Sequence, residues 1–289
     1  MPIEHVTDTA LWVASHRAAE SRRPDALFHD PLAEILAGER GREIAKSMPG
    51  GALMEWVMAI RTASIDRLVL DALQLGVDTV LNIGAGLDTR PYRMTLPETL
   101  RWIEVDFPSM IDYKTERLGD ARPVCHLERI ALDLTDAEQR RALLARVGSE
   151  SKCVLVMTEG VLIYLAPEDV ATLADEIHAV PQLRYWIQDY YNGLLRRTVP
   201  LSWEKKMRAA PIRFRVEDWF AYFAKHGWRV KKNLVLVEEA RRLGRKFPMT
   251  FPRSLIMMVR FALMSKADRE KAQRASGYAL FEHVEIGQA

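Results

Sequence analysis

The 289-residue chain lacks the features that mark disulfide-stabilised, metal-binding or membrane-spanning proteins. It has two cysteines, Cys125 and Cys153, without CxxC spacing, so neither a disulfide framework nor a metal site is expected. Its longest apolar run, Leu255–Met264, is split by Arg260 and falls short of the roughly 18 residues of a membrane span. The segment Met1–Ala10 has no basic start and no apolar stretch, so we expect no signal peptide and a cytoplasmic protein.

The chain also lacks an excess of one charge. The formal net charge is +2, which gives no reason to expect nucleic acid as a partner. Hydrophobic residues make up 48% of the chain and charged residues 28%, values that are ordinary for a globular protein. The length suits one large domain. We therefore predict a single domain over residues 1–289, and the sequence does not indicate its oligomeric state.

The first part of the chain has helical periodicity. Residues 1–75 are predicted to form a helical N-terminal extension. Its helices are expected over Thr9–Glu20, from Asp30-Pro31 onward, and over Met54–Leu75, where Gly76 ends the last of them.

From residue 76 onward, apolar strand patterns alternate with helical ones, and this alternation predicts an α/β fold with an open, doubly wound sheet. Helical cover is expected around residues 190–215, and a short helix over Val216–His226. The predicted strands are Thr79–Ile83, Arg101–Val105, Arg129–Leu132, Cys153–Thr158, Tyr185–Gln188, Trp228–Val237 and Tyr278–Val284.

A glycine-rich loop, Gly84-Ala85-Gly86, directly follows the first predicted strand. Ligands of open α/β sheets bind at the carboxyl ends of strands, and glycine lets the backbone approach a ligand closely. Thr89 stands where a dinucleotide-binding loop has its third glycine. The loop therefore favours a cofactor without a pyrophosphate over a nicotinamide dinucleotide, although a turn without any ligand explains the two glycines equally well.

Three more strand ends carry an acidic residue. Asp106 comes 22 residues after Gly84, an offset that suits hydrogen bonds to both ribose hydroxyls. Asp133-Leu134 follows the third strand and suits an adenine ring, with an acceptor for its amino group and an apolar contact for its face. Glu159 follows the most apolar strand and suits a cationic end of the cofactor. Each of these carboxylates has an ordinary alternative as a solvated or helix-capping residue.

These segments, taken together, resemble the leucine carboxyl methyltransferase family. The likeness is greatest to its bacterial branch, which includes tetracenomycin-type polyketide O-methyltransferases of secondary metabolism. The run Gly-Ala-Gly-Leu-Asp-Thr-Arg from Gly84 is specific to this family among methyltransferases. The other matching stretches are Asp25–Ala33, Glu104–Pro108 with Tyr113-Lys114, Thr158–Leu165 and, more faintly, Asp218–Trp228.

The resemblance implies a Rossmann-like class I S-adenosylmethionine-dependent methyltransferase sheet with an antiparallel last strand. It also implies that Arg61 holds the cofactor carboxylate, with Arg17 as a second basic residue. If Arg61 has no such role, it is an exposed helix charge near Asp66. The residues expected to bind S-adenosylmethionine are Arg17, Arg61, Gly84, Ala85, Gly86, Asp106, Asp133, Leu134 and Glu159.

The expected reaction is O-methylation of a small-molecule carboxylate or hydroxyl, such as a polyketide-like aromatic acid. A carboxylate is already ionised at pH 7, whereas a phenol would benefit from a base. No histidine is persuasive as that base, because His126, His178 and His226 each have a structural explanation. Tyr164, Tyr190 and Tyr191 are candidates for the cleft, and Arg213 and Arg215 for acceptor contacts.

Three other functions remain open on the sequence. They are methylation of a protein C-terminal carboxylate, nicotinamide-dependent oxidoreduction, and adenosine binding without catalysis.

Overall fold

The computed structural model describes residues 3–192, 206–248 and 265–286. Three helices come first, α1 (Asp8–Ser21), α2 (Ala33–Ser47) and α3 (Gly51–Leu73), so the prediction of a helical N-terminal extension is confirmed. The chain leaves α3 through Gly76, whose φ of 88° is a left-handed conformation that glycine adopts at little cost. Among the described residues, no helix is both long and apolar enough to cross a bilayer.

The centre of the molecule is a seven-stranded sheet with the order β3-β2-β1-β4-β5-β7-β6. The first five strands are parallel, and β7 runs antiparallel to β5 and β6. The predicted α/β Rossmann-like fold and its antiparallel last strand are therefore confirmed. The strands are β1 (Thr79–Ile83), β2 (Arg101–Asp106), β3 (His126–Ala131), β4 (Val154–Thr158), β5 (Leu183–Tyr191), β6 (Trp228–Val235) and β7 (Ser276–His283).

Helices follow most of the strands and cover the sheet. They are α4 (Arg90–Arg93), α5 (Pro108–Leu118), α6 (Ala137–Ser149), α7 (Pro167–His178), α8 (Trp219–Ala224), α9 (Leu236–Arg242) and α10 (Lys266–Gln273), with a 3₁₀ turn at Leu162–Tyr164. All residues of β1 and β4 are buried, as expected for central parallel strands that are covered on both faces. Trp219 and Phe223 of α8 lie in the core.

Most predicted strands have bounds that differ by one to three residues from the observed ones, and two differences have a clear physical reason. The strand expected at Tyr185–Gln188 extends to Tyr191, because pairing with β7 continues as far as Ser276. The helix expected at Val216–His226 covers only Trp219–Ala224, because the side chain of Asp218 caps its start by accepting a hydrogen bond from the Ala221 amide. Part of the helical cover expected around 190–215 lies outside the described residues.

Candidate active site

A cavity of about 1420 Å³ lies at the carboxyl ends of β1, β2 and β4, where ligands of open α/β sheets bind. Helices α1 and α3 and residues 207–217 form further parts of its wall. The sequence-predicted residues that line it are Arg17, Arg61, Gly84, Ala85, Gly86, Asp106, Asp133, Leu134, Glu159, Tyr164, Tyr191, Arg213 and Arg215. Residues that lie far apart in the sequence are thus brought to one space.

The glycine loop forms one wall through its backbone. Gly84 and Gly86 have φ values of 67° and 49°, which residues with a side chain rarely adopt. The Gly84 amide donates a hydrogen bond to the Val105 carbonyl (2.8 Å), and this contact fixes the loop against β2. The side chain of Ala10 in α1 lies so close that a β-carbon on Gly86 would meet it at 3.2 Å. A side chain on Gly86 would therefore require a small shift of α1, in addition to the strained backbone conformation.

Asp106 is the last residue of β2 and is held by two backbone amides. Its Oδ2 accepts a hydrogen bond from the Gly86 amide (2.6 Å), and its Oδ1 accepts one from the Phe107 amide (2.7 Å). Burial raises the pKa of Asp106, although both amides act in the opposite direction. Each carboxylate oxygen has two lone pairs, so each retains an acceptor site for a ligand hydroxyl.

Asp133 combines the predicted location with its ordinary alternative. It lines the cavity next to Leu134. Its Oδ1 also accepts hydrogen bonds from the amide and the hydroxyl of Thr135 (2.9 and 2.8 Å), which is a local turn. The neighbouring Asp136 caps α6.

Glu159 and Arg61 form a largely buried ion pair with 2.8 Å between Arg61 Nε and Glu159 Oε1. The other oxygen of Glu159 lies 2.8 Å from Arg90 Nη1. Burial alone would raise the pKa of Glu159, but the Arg90 and Arg61 guanidinium groups outweigh it and lower that pKa below its usual value. The alternative of a solvated loop carboxylate at Glu159 is therefore wrong.

The alternative for Arg61, an exposed charge near Asp66, is also wrong. Arg61 is buried, and Asp66 contacts Arg90 and Arg93 instead, at 2.7 Å each. A second carboxylate, Asp189, lies 3.8 Å from Arg61.

Arg17 links helix α1 to the glycine loop. Its Nε lies 2.8 Å from Asp30 Oδ2, and its Nη2 donates a hydrogen bond to the Leu87 carbonyl. The hydroxyl of Thr89 donates to the same oxygen of Asp30 (2.6 Å). Arg17 thus lines the cavity while its guanidinium holds the loop in place.

Two of the three candidate tyrosines line the cavity, and the third does not. Tyr164 and Tyr191 are lining residues, and burial raises the pKa of Tyr164 to about 12 and that of Tyr191 well above its usual value. Tyr191 donates a hydrogen bond to Asp189 (3.1 Å). Tyr190 lies in the hydrophobic core against Phe220. The prediction that Tyr190 belongs to the cleft is wrong, because successive side chains of a strand point to opposite faces.

The three candidate histidines lie elsewhere. His178 contacts the Val284 carbonyl (2.8 Å), His226 contacts Asp175 (2.6 Å), and His126 is exposed at the start of β3. Within residues 3–192, 206–248 and 265–286, the cavity wall contains no histidine, lysine or cysteine. The same ranges contain no cluster of residues suited to a metal ion.

Known proteins share both the sequence pattern and the fold. Residues 10–178 match the leucine carboxyl methyltransferase family. The chain belongs to this family. A protein of Streptomyces coelicolor, named as an S-adenosyl-L-methionine-dependent methyltransferase, is 31% identical over 257 residues, which cover 82% of this chain and 87% of that protein. A similarly named protein of Streptomyces avermitilis is 30% identical over 256 residues, with the same coverage.

Two solved structures have the same fold at low sequence identity. A DUF574-family protein from Streptomyces avermitilis superposes with a TM-score of 0.54 at 14% identity, covering 93% of this chain and 96% of its own. A methyltransferase from Thermobifida fusca superposes with a TM-score of 0.53 at 14% identity, covering 93% and 94%. This member of the leucine carboxyl methyltransferase family is thus an S-adenosylmethionine-dependent methyltransferase, and the nicotinamide-dependent alternative is wrong.

Proposed function

We propose that the enzyme transfers the methyl group of S-adenosylmethionine to an oxygen of a small-molecule acceptor, and that this oxygen belongs to a carboxylate. The observation that carries the carboxylate assignment is the composition of the cavity wall. Its described part contains exposed arginines and no histidine, lysine or cysteine. The alternative acceptor is a hydroxyl group.

The residues of the cavity fit the cofactor. The glycine loop lines the cavity beside Asp106, and the two oxygens of Asp106 suit the ribose hydroxyls of the cofactor's adenosine. Asp133 and Leu134 suit the adenine edge and face. Arg61 suits the carboxylate of the methionine end, since a guanidinium pairs well with a planar carboxylate, and Glu159 suits the ammonium. When bound, the cofactor supplies an electrophilic methyl group on its sulfonium.

The cavity has room for an acceptor beside the cofactor. Its volume of about 1420 Å³ exceeds the roughly 300–1,000 Å³ of ordinary ligand pockets. Arg208, Arg213 and Arg215 lie at the wall formed by residues 207–217 and are exposed to solvent. They outnumber the acid of that segment, Glu217. Their positive charges attract an anionic acceptor. Methylation turns the carboxylate into a neutral ester, which these charges no longer attract.

The paired acids and the tyrosines of the wall are poorly suited to act as a general base. Asp88 contacts Asn82 and Arg90, Asp106 accepts two amide hydrogen bonds, and Glu159 pairs with two arginines. The raised pKa values of Tyr164 and Tyr191 keep both phenols protonated, so they act as donors. A carboxylate acceptor, with a reference pKa near 4, needs no base at pH 7. The protein's task is then to hold acceptor oxygen and methyl group in line.

A screen of chemically matched acceptors tests this proposal. Each aromatic acid is paired with its phenol and its primary amide, and products are read by mass spectrometry after incubation with S-adenosylmethionine. We expect methylation of acids and not of the matched phenols or amides. Conversion of phenols without acids would overturn the carboxylate assignment. Conversion of C-terminal peptide carboxylates in preference to small acids would favour a protein substrate.

A variant in the wall segment 207–217, compared with a control outside the cavity, adds a second test. Arg213→Gln should raise KM for the acid several-fold and leave kcat nearly unchanged, because Arg213 is expected to attract the acceptor without touching the reacting atoms. Arg229→Gln is the matched control, since Arg229 is an exposed arginine of β6 that pairs with Glu282 and is not part of the cavity wall. Equal kinetics for both variants would contradict the role of Arg213.

A further inference from the structure

Arg90 connects three acidic residues from three parts of the chain. It begins α4, directly after the glycine loop, and is buried. Its Nε lies 2.7 Å from Asp66 in α3, and its Nη1 lies 2.9 Å from Asp88 and 2.8 Å from Glu159. A guanidinium has five donors in a fixed plane, so it can hold three carboxylates at once.

The partners of Arg90 are themselves held in place. Asp88 accepts a hydrogen bond from the Asn82 side chain (2.8 Å). Asp66 also accepts two hydrogen bonds from Arg93, at 2.7 and 2.8 Å. Arg90 is therefore anchored at Nε by Asp66 and at Nη1 by Asp88, which makes it a fixed support for Glu159.

The two oxygens of Glu159 contact two arginines that have different proposed roles. Oε2 contacts the anchored Arg90, and Oε1 contacts Arg61, the residue that is proposed to bind the cofactor carboxylate. When Arg61 turns to that carboxylate, Oε1 becomes available to the cofactor ammonium. The Arg61–Glu159 ion pair would then be replaced by two ion pairs, one between Arg61 and the cofactor carboxylate and one between Glu159 and the cofactor ammonium.

We propose that Arg90 is a positioning residue, which fixes Glu159 for the cofactor ammonium while Arg61 changes its partner. This inference rests on the proposed arrangement of the cofactor in the cavity. It predicts that the free protein recognises the amino-acid end of the cofactor through a preformed Glu159–Arg90 pair. Arg90 acts through Glu159 and contributes no separate contact to the cofactor.

Calorimetry with two ligands tests the inference. S-adenosylhomocysteine has the amino-acid end, whereas 5′-methylthioadenosine has the same adenosine and thioether without it. Arg90→Lys keeps a positive charge but loses the planar fork. We expect it to weaken S-adenosylhomocysteine binding by about 10- to 100-fold, the size of one hydrogen bond to a charged group, and to leave 5′-methylthioadenosine binding unchanged.

Arg93→Lys is the matched control. Arg93 lies in the same helix, is buried to a similar degree and shares the partner Asp66, but it neither lines the cavity nor contacts Glu159. We expect it to leave the ratio of the two affinities unchanged. A loss of both ligands by the same factor in Arg90→Lys would mean general support of the loop and would overturn the inference.

A double-mutant cycle distinguishes positioning from direct contact. In a Glu159→Gln background, Arg90→Lys should cause no further loss of S-adenosylhomocysteine affinity, because its effect passes through Glu159. Losses that add would show that Arg90 itself binds the cofactor and would overturn the inference. If Arg90→Lys does not fold, Asp66→Asn replaces it, because it removes the Nε anchor outside the cavity and should lower the same affinity ratio by a smaller factor.

The wild-type protein separates this inference from the proposed function. Equal affinities of the wild type for both ligands would contradict the cofactor arrangement itself, and the inference with it. A clear preference for S-adenosylhomocysteine that survives Arg90→Lys would overturn the role of Arg90 alone.

Discussion

Replacing Asp106 by alanine should strongly weaken cofactor binding without unfolding the protein. Each oxygen of this carboxylate already accepts one backbone amide, from Gly86 (2.6 Å) and from Phe107 (2.7 Å). The remaining lone pairs are the proposed acceptors for the two ribose hydroxyls. Asp106→Ala removes both acceptors and also leaves the Gly86 amide without its partner, so the glycine loop loses a restraint.

The size of the effect follows from two hydrogen bonds to a charged group. At about 1.5–3 kcal/mol each, their loss amounts to about 3–6 kcal/mol. Since each 1.36 kcal/mol is tenfold, the affinity for S-adenosylhomocysteine should fall by a factor of about 10² to 10⁴. Both S-adenosylhomocysteine and 5′-methylthioadenosine should lose affinity, because both contain the ribose.

Calorimetry measures these affinities, and circular dichroism follows thermal unfolding of the same samples. Burial raises the pKa of Asp106, so alanine removes a carboxylate whose ionised form is unfavourable in the folded protein. It also leaves the Gly86 and Phe107 amides without their acceptor, at about 1–3 kcal/mol each, so we expect a lower unfolding temperature but a folded protein. Asp136→Ala is the control, because Asp136 caps α6 outside the cavity. It should lose about 1 kcal/mol of stability and no affinity. An Asp106→Ala protein with unchanged affinity would refute the ribose assignment.

Three further predictions concern stability and loop geometry. Lys114→Met should destabilise the fold by about 3–5 kcal/mol in urea unfolding, because the buried Glu104 loses a partner at 2.8 Å; recovery in the double variant with Glu104→Gln checks the cause, and a single variant as stable as wild type would contradict it. Burial lowers the pKa of His16 from 6.5 to about 4, so stability present above pH 6.5 should fall by about 3 kcal/mol as the pH drops to 4, and a His16→Gln variant with the same slope would contradict this. Gly160→Ala should reduce S-adenosylhomocysteine affinity, because the new β-carbon would lie 2.7 Å from Arg61 Nη2 at a φ of +66°, a conformation that costs about 1–2 kcal/mol; unchanged calorimetry would show that Arg61 can move aside.

Much of the site could be predicted because local signals lie at strand ends. Gly84, Asp106, Asp133 and Glu159 each lie at or just after the end of a strand, and parallel strands bring their carboxyl ends to the same edge of a sheet. An apolar strand and the glycine after it can both be recognised from a few neighbouring residues in the sequence. These four residues therefore line one cavity as predicted.

The ion-pair network could not be predicted in the same way. The partners of Arg90 lie in α3, in the loop after β1 and in the loop after β4. Their pairing therefore depends on the tertiary fold. From the sequence, Asp66 could pair with the nearby Arg61 or Arg67. Its actual partners, Arg90 and Arg93, are brought to it by the tertiary fold. The position of Arg90 at the end of the family-specific run was the one local signal that pointed to it.

The prediction for Tyr190 failed because the end of the fifth strand was predicted three residues too early. The predicted strand ended at Gln188, so the two tyrosines after it were expected to share the cleft. The actual strand continues to Tyr191. Because its side chains alternate, Asp189 and Tyr191 share one face, and Tyr190 lies in the core on the other.

The chemical stability of the methylated product tests the central claim most directly. The enzyme is incubated with S-adenosylmethionine carrying a labelled methyl group and with a pool of matched aromatic acids and phenols, and the product is then treated with mild base. A carboxyl methyl ester hydrolyses and releases the label as volatile methanol, whereas an aryl methyl ether retains it. Our account predicts release of the label as methanol. Label that stays bound to the aromatic product after base treatment would contradict it.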